Sequence, residues 1–122
     1  HDGGERAAAI NAACLALANA SIAMRDIPTA LTVGILDQQV VCDVTGTELK
    51  SQCPILTVAF RAHEKEAIVL CEVTNRVSDT AVDDMFRAAS ETAQSLSKLF
   101  FDALHAHAKT ALEVATDKLS RQ

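Results

Sequence analysis

The strongest restriction on the fold comes from the C-terminal part of the chain, where no glycine or proline follows Pro54. After Ser78, a good helix N-cap, apolar side chains recur every three or four residues, the spacing of one α-helical face. The stripe consists of Val82, Met85, Phe86, Ala89, Ala93, Leu96, Phe100 and Leu104. One helix is predicted that nothing in the sequence stops before about Val114, and the segment from His105 to Gln122, which loses the stripe, is expected to project or fray.

A second helix is predicted near the start of the chain, from Glu5 to Ala20, where apolar side chains such as Ile10 and Leu17 recur at helical spacing among alanines. The uncharged run from Ala7 to Met24 is too weakly apolar to span a bilayer. Acidic residues also stand where a secretion leader carries positive charge. The run therefore predicts a buried helix that packs between a sheet and another element.

Four short β-like runs lie between the two helices, in two pairs that each surround a short polar turn. They are Ala30–Leu36, Val40–Val44, Ile55–Arg61 and Glu66–Val73. A polar loop, Thr45 to Pro54, separates the pairs. The order α-β-β-β-β-α predicts an α+β fold with two helices packed on a mainly antiparallel sheet. The 122 residues allow one domain or half of a larger one, and the sheet edges would accept another strand.

Composition excludes several classes of protein. The net charge is −5, and the chain has no Trp or Tyr and four Phe, so a basic or aromatic nucleic-acid surface on this chain alone is disfavoured. The four cysteines (14, 42, 53 and 71) form no C-x-x-C pair, which argues against a zinc site. Free cysteines inside apolar runs indicate a reduced, intracellular compartment.

Three strings, in this order, resemble the second half of an RNase PH domain. Residues 2–6, DGGER, are similar to the family's D-G-G-T-R turn into an alanine-rich helix. Residues 17–26, LANASIAMRD, are similar to L-A-D-A-G-I-P-M-R-D. The strand at 30–35 is followed by Asp37 and a short strand that ends in Asp43. The resemblance covers residues 1 to about 114, leaves 115–122 as a C-terminal tail, and implies that residues 1–122 lack the domain's N-terminal half.

The resemblance implies a scaffold for ring-forming RNA phosphorolysis. In active members the glycine turn holds the attacking phosphate, which assigns Gly3, Gly4 and Arg6 here to phosphate or RNA binding. Backbone amides and an arginine at a helix N-terminus suit that role. Acidic residues after the second strand support catalysis in the family, and Asp43 and Glu48 are their vestigial candidates here.

The sequence departs from the family pattern at this site. Glu5 stands where the family has threonine, and a carboxylate there would repel phosphate. The acidic string L-D-L-D-Y-E-E-D aligns with residues 42–49, where Asp43 is retained but Thr45 and Leu49 replace two of the acids. We therefore expect no catalytic residue, no metal and no cofactor.

The resemblance implies a non-catalytic ring subunit of the RNA exosome, of the type closest to bacterial RNase PH. Such a subunit supports 3′→5′ RNA processing and degradation, including that of ribosomal RNA. Its implied partners are other RNase PH-like subunits, cap subunits, the hydrolytic nuclease and RNA, in the nucleus, nucleolus and cytoplasm, with no membrane. The alternative is an active phosphate-dependent 3′→5′ exoribonuclease using phosphate and a divalent metal. A small interaction domain unrelated to RNA is a third interpretation.

Each singled-out residue also has a plainer interpretation. Arg6 could form an ordinary ion pair with Asp2 or Glu5, and Asp43 could be a turn residue. A cluster in the second hairpin turn could contact an RNA backbone or form a solvated tip. Its members are Arg61, His63 and Lys65.

Overall fold

A computed structural model describes residues 3–49, 52–63 and 67–121 of the chain. The elements of these residues are α1 (Glu5–Asn19), β1 (Thr29–Leu36), β2 (Gln39–Cys42), α2 (Gly46–Leu49), β3 (Ile55–Phe60), β4 (Ile68–Thr74) and α3 (Asp79–Ser120). The predicted α+β fold is confirmed. One element was not predicted: α2 is a single helical turn within the expected polar loop.

The four strands form one sheet in the order β2-β1-β3-β4, and every neighbouring pair is antiparallel. A two-residue turn joins β1 to β2, with positive φ at Asp37 (47°) and Gln38 (64°). This is the turn whose twist matches paired strands, and it confirms the predicted hairpin. The central pairing joins β1 to β3, from Thr29 opposite Phe60 to Gly34 opposite Ile55.

The two long helices pack on opposite faces of the sheet. Neighbouring residues of a strand point to opposite faces. Leu31 belongs to the main core, which includes Met85 and two buried alanines of α3. Its neighbour Ala30 instead packs with Ala7 of α1 in a second, smaller cluster. The sheet therefore forms the middle layer of three.

The prediction of a buried helix for the alanine-rich run is wrong for this chain. Within α1 only Ala7 is buried, and Ile22 in the following loop is 52% exposed. The physical reason is that α1 packs on the sheet and touches α3 only along one edge, which leaves most of its surface exposed. No helix in the described ranges combines the length and apolar content needed to cross a membrane.

Helix α3 continues past Val114 to Ser120, in agreement with the absence of a helix breaker. Every described side chain after Leu104 is exposed, so the expected projection of this segment is confirmed. The helix persists because its sequence contains no helix breaker, and Arg121 pairs with Asp117 one turn earlier at 3.0 Å. The sheet also ends on an exposed strand, since Ile68, Val69 and Val73 of β4 are 42–57% exposed.

Candidate functional site

The glycine turn before α1 packs against the chain that follows β2. Gly3 has φ 90° and Gly4 has φ 64°, conformations that side chains rarely adopt. A Cβ at Gly3 would collide with the carbonyl oxygen of Val44, and a Cβ at Gly4 would lie 3.2 Å from Asp43 Oδ1. The structure therefore brings the two predicted phosphate-binding glycines to the predicted acidic strand end.

Asp43 has a clear backbone role at this junction. Its φ is 63°, a left-handed conformation that Asp tolerates better than most residues. Its N–H donates a hydrogen bond of 2.8 Å to the carbonyl of Thr32 as the chain leaves β2. This geometry agrees with the turn interpretation of Asp43, while its carboxylate still lies beside Gly4.

Arg6 projects into a groove of about 530 Å³ that Gly3, Gly4 and Glu5 also line. Its guanidinium forms an ion pair with Glu72 of β4. The two side chains are 63% and 45% exposed, so solvent screens the pair. The partner is a residue that sequence reasoning did not consider, and Asp2 lies outside the described residues.

The charges along this groove do not favour an anion. Arg6 supplies one positive charge, and Glu5 in the first turn of α1 and Glu72 on the wall supply two negative ones. Glu72 shares the α1 face of the sheet because it lies opposite Thr57, which in turn lies opposite Thr32. The period-two alternation of β4 was the signal that could have identified it.

The other acidic candidate, Glu48, bonds within its own turn. Its Oε2 accepts hydrogen bonds from the Thr45 N–H at 2.7 Å and the Thr45 hydroxyl at 2.8 Å. The Glu48–Thr45 N–H bond, with Thr45 just before α2 and Glu48 three residues later, is half of a capping box. These bonds hold the pKa of Glu48 below its usual value. Glu48 therefore helps to start a helix and is not among the residues lining the groove.

Asn11 has a role that sequence reasoning missed. Beyond the β2 pairing, the first half of β1 has an open edge. There the Asn11 side chain accepts from the Ala30 N–H at 2.7 Å and donates to the Ala30 carbonyl at 2.8 Å. The amide thus imitates a neighbouring strand. An amide at position 11 within an alanine-rich run was the available signal.

The hairpin-turn cluster is tied to a buried carboxylate. The side chain of Asp26 is 4% exposed; one of its oxygens accepts from the His63 N–H at 3.0 Å, and His63 Nδ1 lies 2.8 Å from the other oxygen. Arg61 Nε lies 3.9 Å from Asp26. Burial alone would raise the pKa of Asp26, but the hydrogen bonds from His63 and the Ile27 N–H hold it below its usual value. Lys65 lies outside the described residues.

Chemically, the site offers a glycine turn and one arginine at a helix N-terminus. A second cavity, about 390 Å³, lies on the other side of Gly4, where Asp43 and Asn11 line it together with residues of α3. Across residues 3–49, 52–63 and 67–121, no three side chains of His, Cys, Asp or Glu are grouped to hold a metal ion. The assignment of Gly3, Gly4 and Arg6 to phosphate binding stays a prediction.

Comparison with known protein families shows which family this chain belongs to. Residues 26–92, more than half of the chain, match the "3' exoribonuclease family, domain 2". The chain belongs to the 3′ exoribonuclease family. The resemblance to the C-terminal half of an RNase PH-like domain is therefore confirmed.

Individual relatives point in the same direction. The exosome complex component RRP41 of Mus musculus is 30% identical over 110 residues, which cover 90% of this chain and 44% of that protein. Exosome complex component Rrp41 of Pyrobaculum arsenaticum is 49% identical over 69 residues, 57% of this chain and 28% of that protein. The crystal structure of rice Rrp46 shares the fold, with a TM-score of 0.78 at 21% identity over 86% of this chain and 50% of that one. The chain spans about half the length of these relatives or less.

Proposed function

We propose that this protein is a non-catalytic ring subunit of the RNA exosome, where it supports 3′→5′ processing and degradation of RNA, including ribosomal RNA. Similarity to exosome components supports membership of the complex. The observation that carries the absence of catalysis is the ion pair of Arg6 with Glu72, in a groove that Glu5 also lines.

The chemistry of phosphorolysis explains why this pair matters. The reaction requires an inorganic phosphate, which at neutral pH is a mixture of monoanion and dianion, next to the glycine turn. To hold it, Arg6 would have to leave Glu72, and the phosphate would then face two carboxylates. The negative charges of the phosphate and of the two carboxylates repel one another, and the helix N-terminus offers only a fractional positive charge in compensation. Glu48 is meanwhile engaged by Thr45.

The proposed role is architectural. The subunit would hold the ring closed with other RNase PH-like subunits and contact cap subunits and the hydrolytic nuclease, in the nucleus, nucleolus and cytoplasm. The exposed edge strand β4 and the exposed face of α1 provide surface for such contacts. The net charge of −5 is compatible with this role because several subunits share the RNA contact.

The alternative, an active phosphate-dependent 3′→5′ exoribonuclease, is favoured by one observation. Gly3, Gly4, Arg6 and Asp43 are all retained, and the structure brings the glycine turn and Asp43 together. Under this alternative the turn binds phosphate and Arg6 exchanges Glu72 for it.

One assay separates the two functions. The full-length protein in its native complex is incubated with RNA and inorganic phosphate, and released nucleoside diphosphates are quantified. We expect R6Q to leave the release rate equal to that of R87Q, a matched control in the exposed Arg87–Asp84 ion pair. Release that R6Q abolishes and R87Q retains would establish the alternative.

A further inference from the structure

A small cavity lies between the start of β1, the end of β3 and α3. Its volume is about 20 Å³. The polar side chains that line it are Thr29, Arg61, Ser90, Gln94 and Ser97. A cavity needs roughly 10–15 Å³ to hold one water, and a stable water needs two to four polar partners. Both its size and its lining suit one water molecule.

The hydroxyl of Thr29 supplies independent evidence for a ligand at this place. Thr29 is 1% exposed, and its Oγ1 is buried without a hydrogen-bond partner among the described residues. Buried hydroxyls nearly always have a partner, because leaving one unpaired destabilises the fold. The neighbouring side chains of Phe60 and Ala93 are buried and apolar, so the side chains that can take part in hydrogen bonds here belong to the polar part of the wall.

We propose that this cavity binds one ordered water, which hydrogen-bonds to Thr29 Oγ1 and to polar side chains of α3. Ser90 and Ser97 are two helical turns apart, about 10 Å along the axis, so one water reaches only one of these serines. Gln94 lies between them and its amide can supply a further bond. The water links the first residue of β1 to α3 and helps fix where the helix crosses the sheet.

Crystallography of the full-length protein at about 1.5 Å or better tests the proposal. We expect a water peak within 2.5–3.2 Å of Thr29 Oγ1, present in T29S and lost in T29V. Single S90A and S97A variants identify the second partner by which one displaces the peak. A wild-type map without a peak at this place overturns the proposal, whatever the melting temperatures.

Thermal unfolding of the same variants gives a second measurement. T29V removes the hydroxyl but keeps the shape of the side chain, so we expect it to lower Tm by a few degrees, with T29S close to wild type. If Thr29 were merely an unpaired hydroxyl, T29V would leave Tm unchanged or raise it, because it would remove an unfavourable buried group. That result would contradict a bridging water.

Discussion

Replacement of Asn11 by alanine tests how the open half of β1 is stabilised. The side chain is the only described partner that satisfies both the N–H and the carbonyl of Ala30, at 2.7 and 2.8 Å. Ala30 itself is 1% exposed. N11A would leave two strand-edge groups without their partner while changing nothing in the strand's own sequence.

The magnitude follows from these two bonds. Each buried backbone group left unpaired costs about 1–3 kcal/mol. Alanine has a higher helix propensity than asparagine, which offsets at most about 0.7 kcal/mol of this loss. Since the 390 Å³ cavity adjoins Asn11, water can reach the edge and reduce the loss. We therefore expect the free energy of unfolding to fall by about 2 kcal/mol, near the lower end of the range set by the two bonds.

Urea unfolding of the full-length protein, followed by circular dichroism, measures this change. N19A is the matched control, because Asn19 is exposed at the end of the same helix. We expect N19A to stay within about 0.5 kcal/mol of wild type, as surface substitutions usually do. An N11A loss no larger than that of N19A would refute the strand-edge role of the amide.

Two further stability predictions follow from the backbone and from charge. D26N should be less stable than wild type at pH 7 by about 1–3 kcal/mol, because hydrogen bonds to the carboxylate are weakened. The pKa of Asp26 is depressed in the folded state, so the stability that its carboxylate contributes is complete above about pH 4 and is lost as the pH falls through the folded-state pKa. The stability difference between wild type and D26N should therefore be smaller at pH 3 than at pH 7. A difference that stays constant would contradict this. G3A should lower the free energy of unfolding in urea by at least about 2 kcal/mol. The loss should be larger than that of G4A, because only a Cβ at position 3 would collide with the Val44 backbone. Equal losses in the two variants would contradict the packing of the turn.

Local patterns in the sequence predicted the elements of the fold but not how they meet. The period-two runs and the helical stripe identified four strands and two long helices, because these signals depend on neighbouring residues. They do not specify that β1 lies between β2 and β3, or that α1 and α3 occupy opposite faces. Helix α3 runs on past Val114 because a fading apolar stripe does not end a helix that contains no breaker.

The candidate site was predicted only in part, because sequence patterns report on neighbouring residues and not on residues that meet across the sheet. The glycine turn and Asp43 were identified from strings of adjacent residues, and the structure places them together. The partner of Arg6 was missed because Glu72 is 66 positions away and meets it only across the sheet face. The bond from Thr45 to Glu48 spans only three residues, and a capping-box search would have found it.

The proposed function requires that this protein is built into a mixed exosome ring. The most direct test is affinity purification of the native full-length protein, followed by intact-complex mass spectrometry. We expect a complex that contains other RNase PH-like chains together with RNA-binding cap subunits. A complex made only of copies of this protein, or a lone monomer, would contradict it.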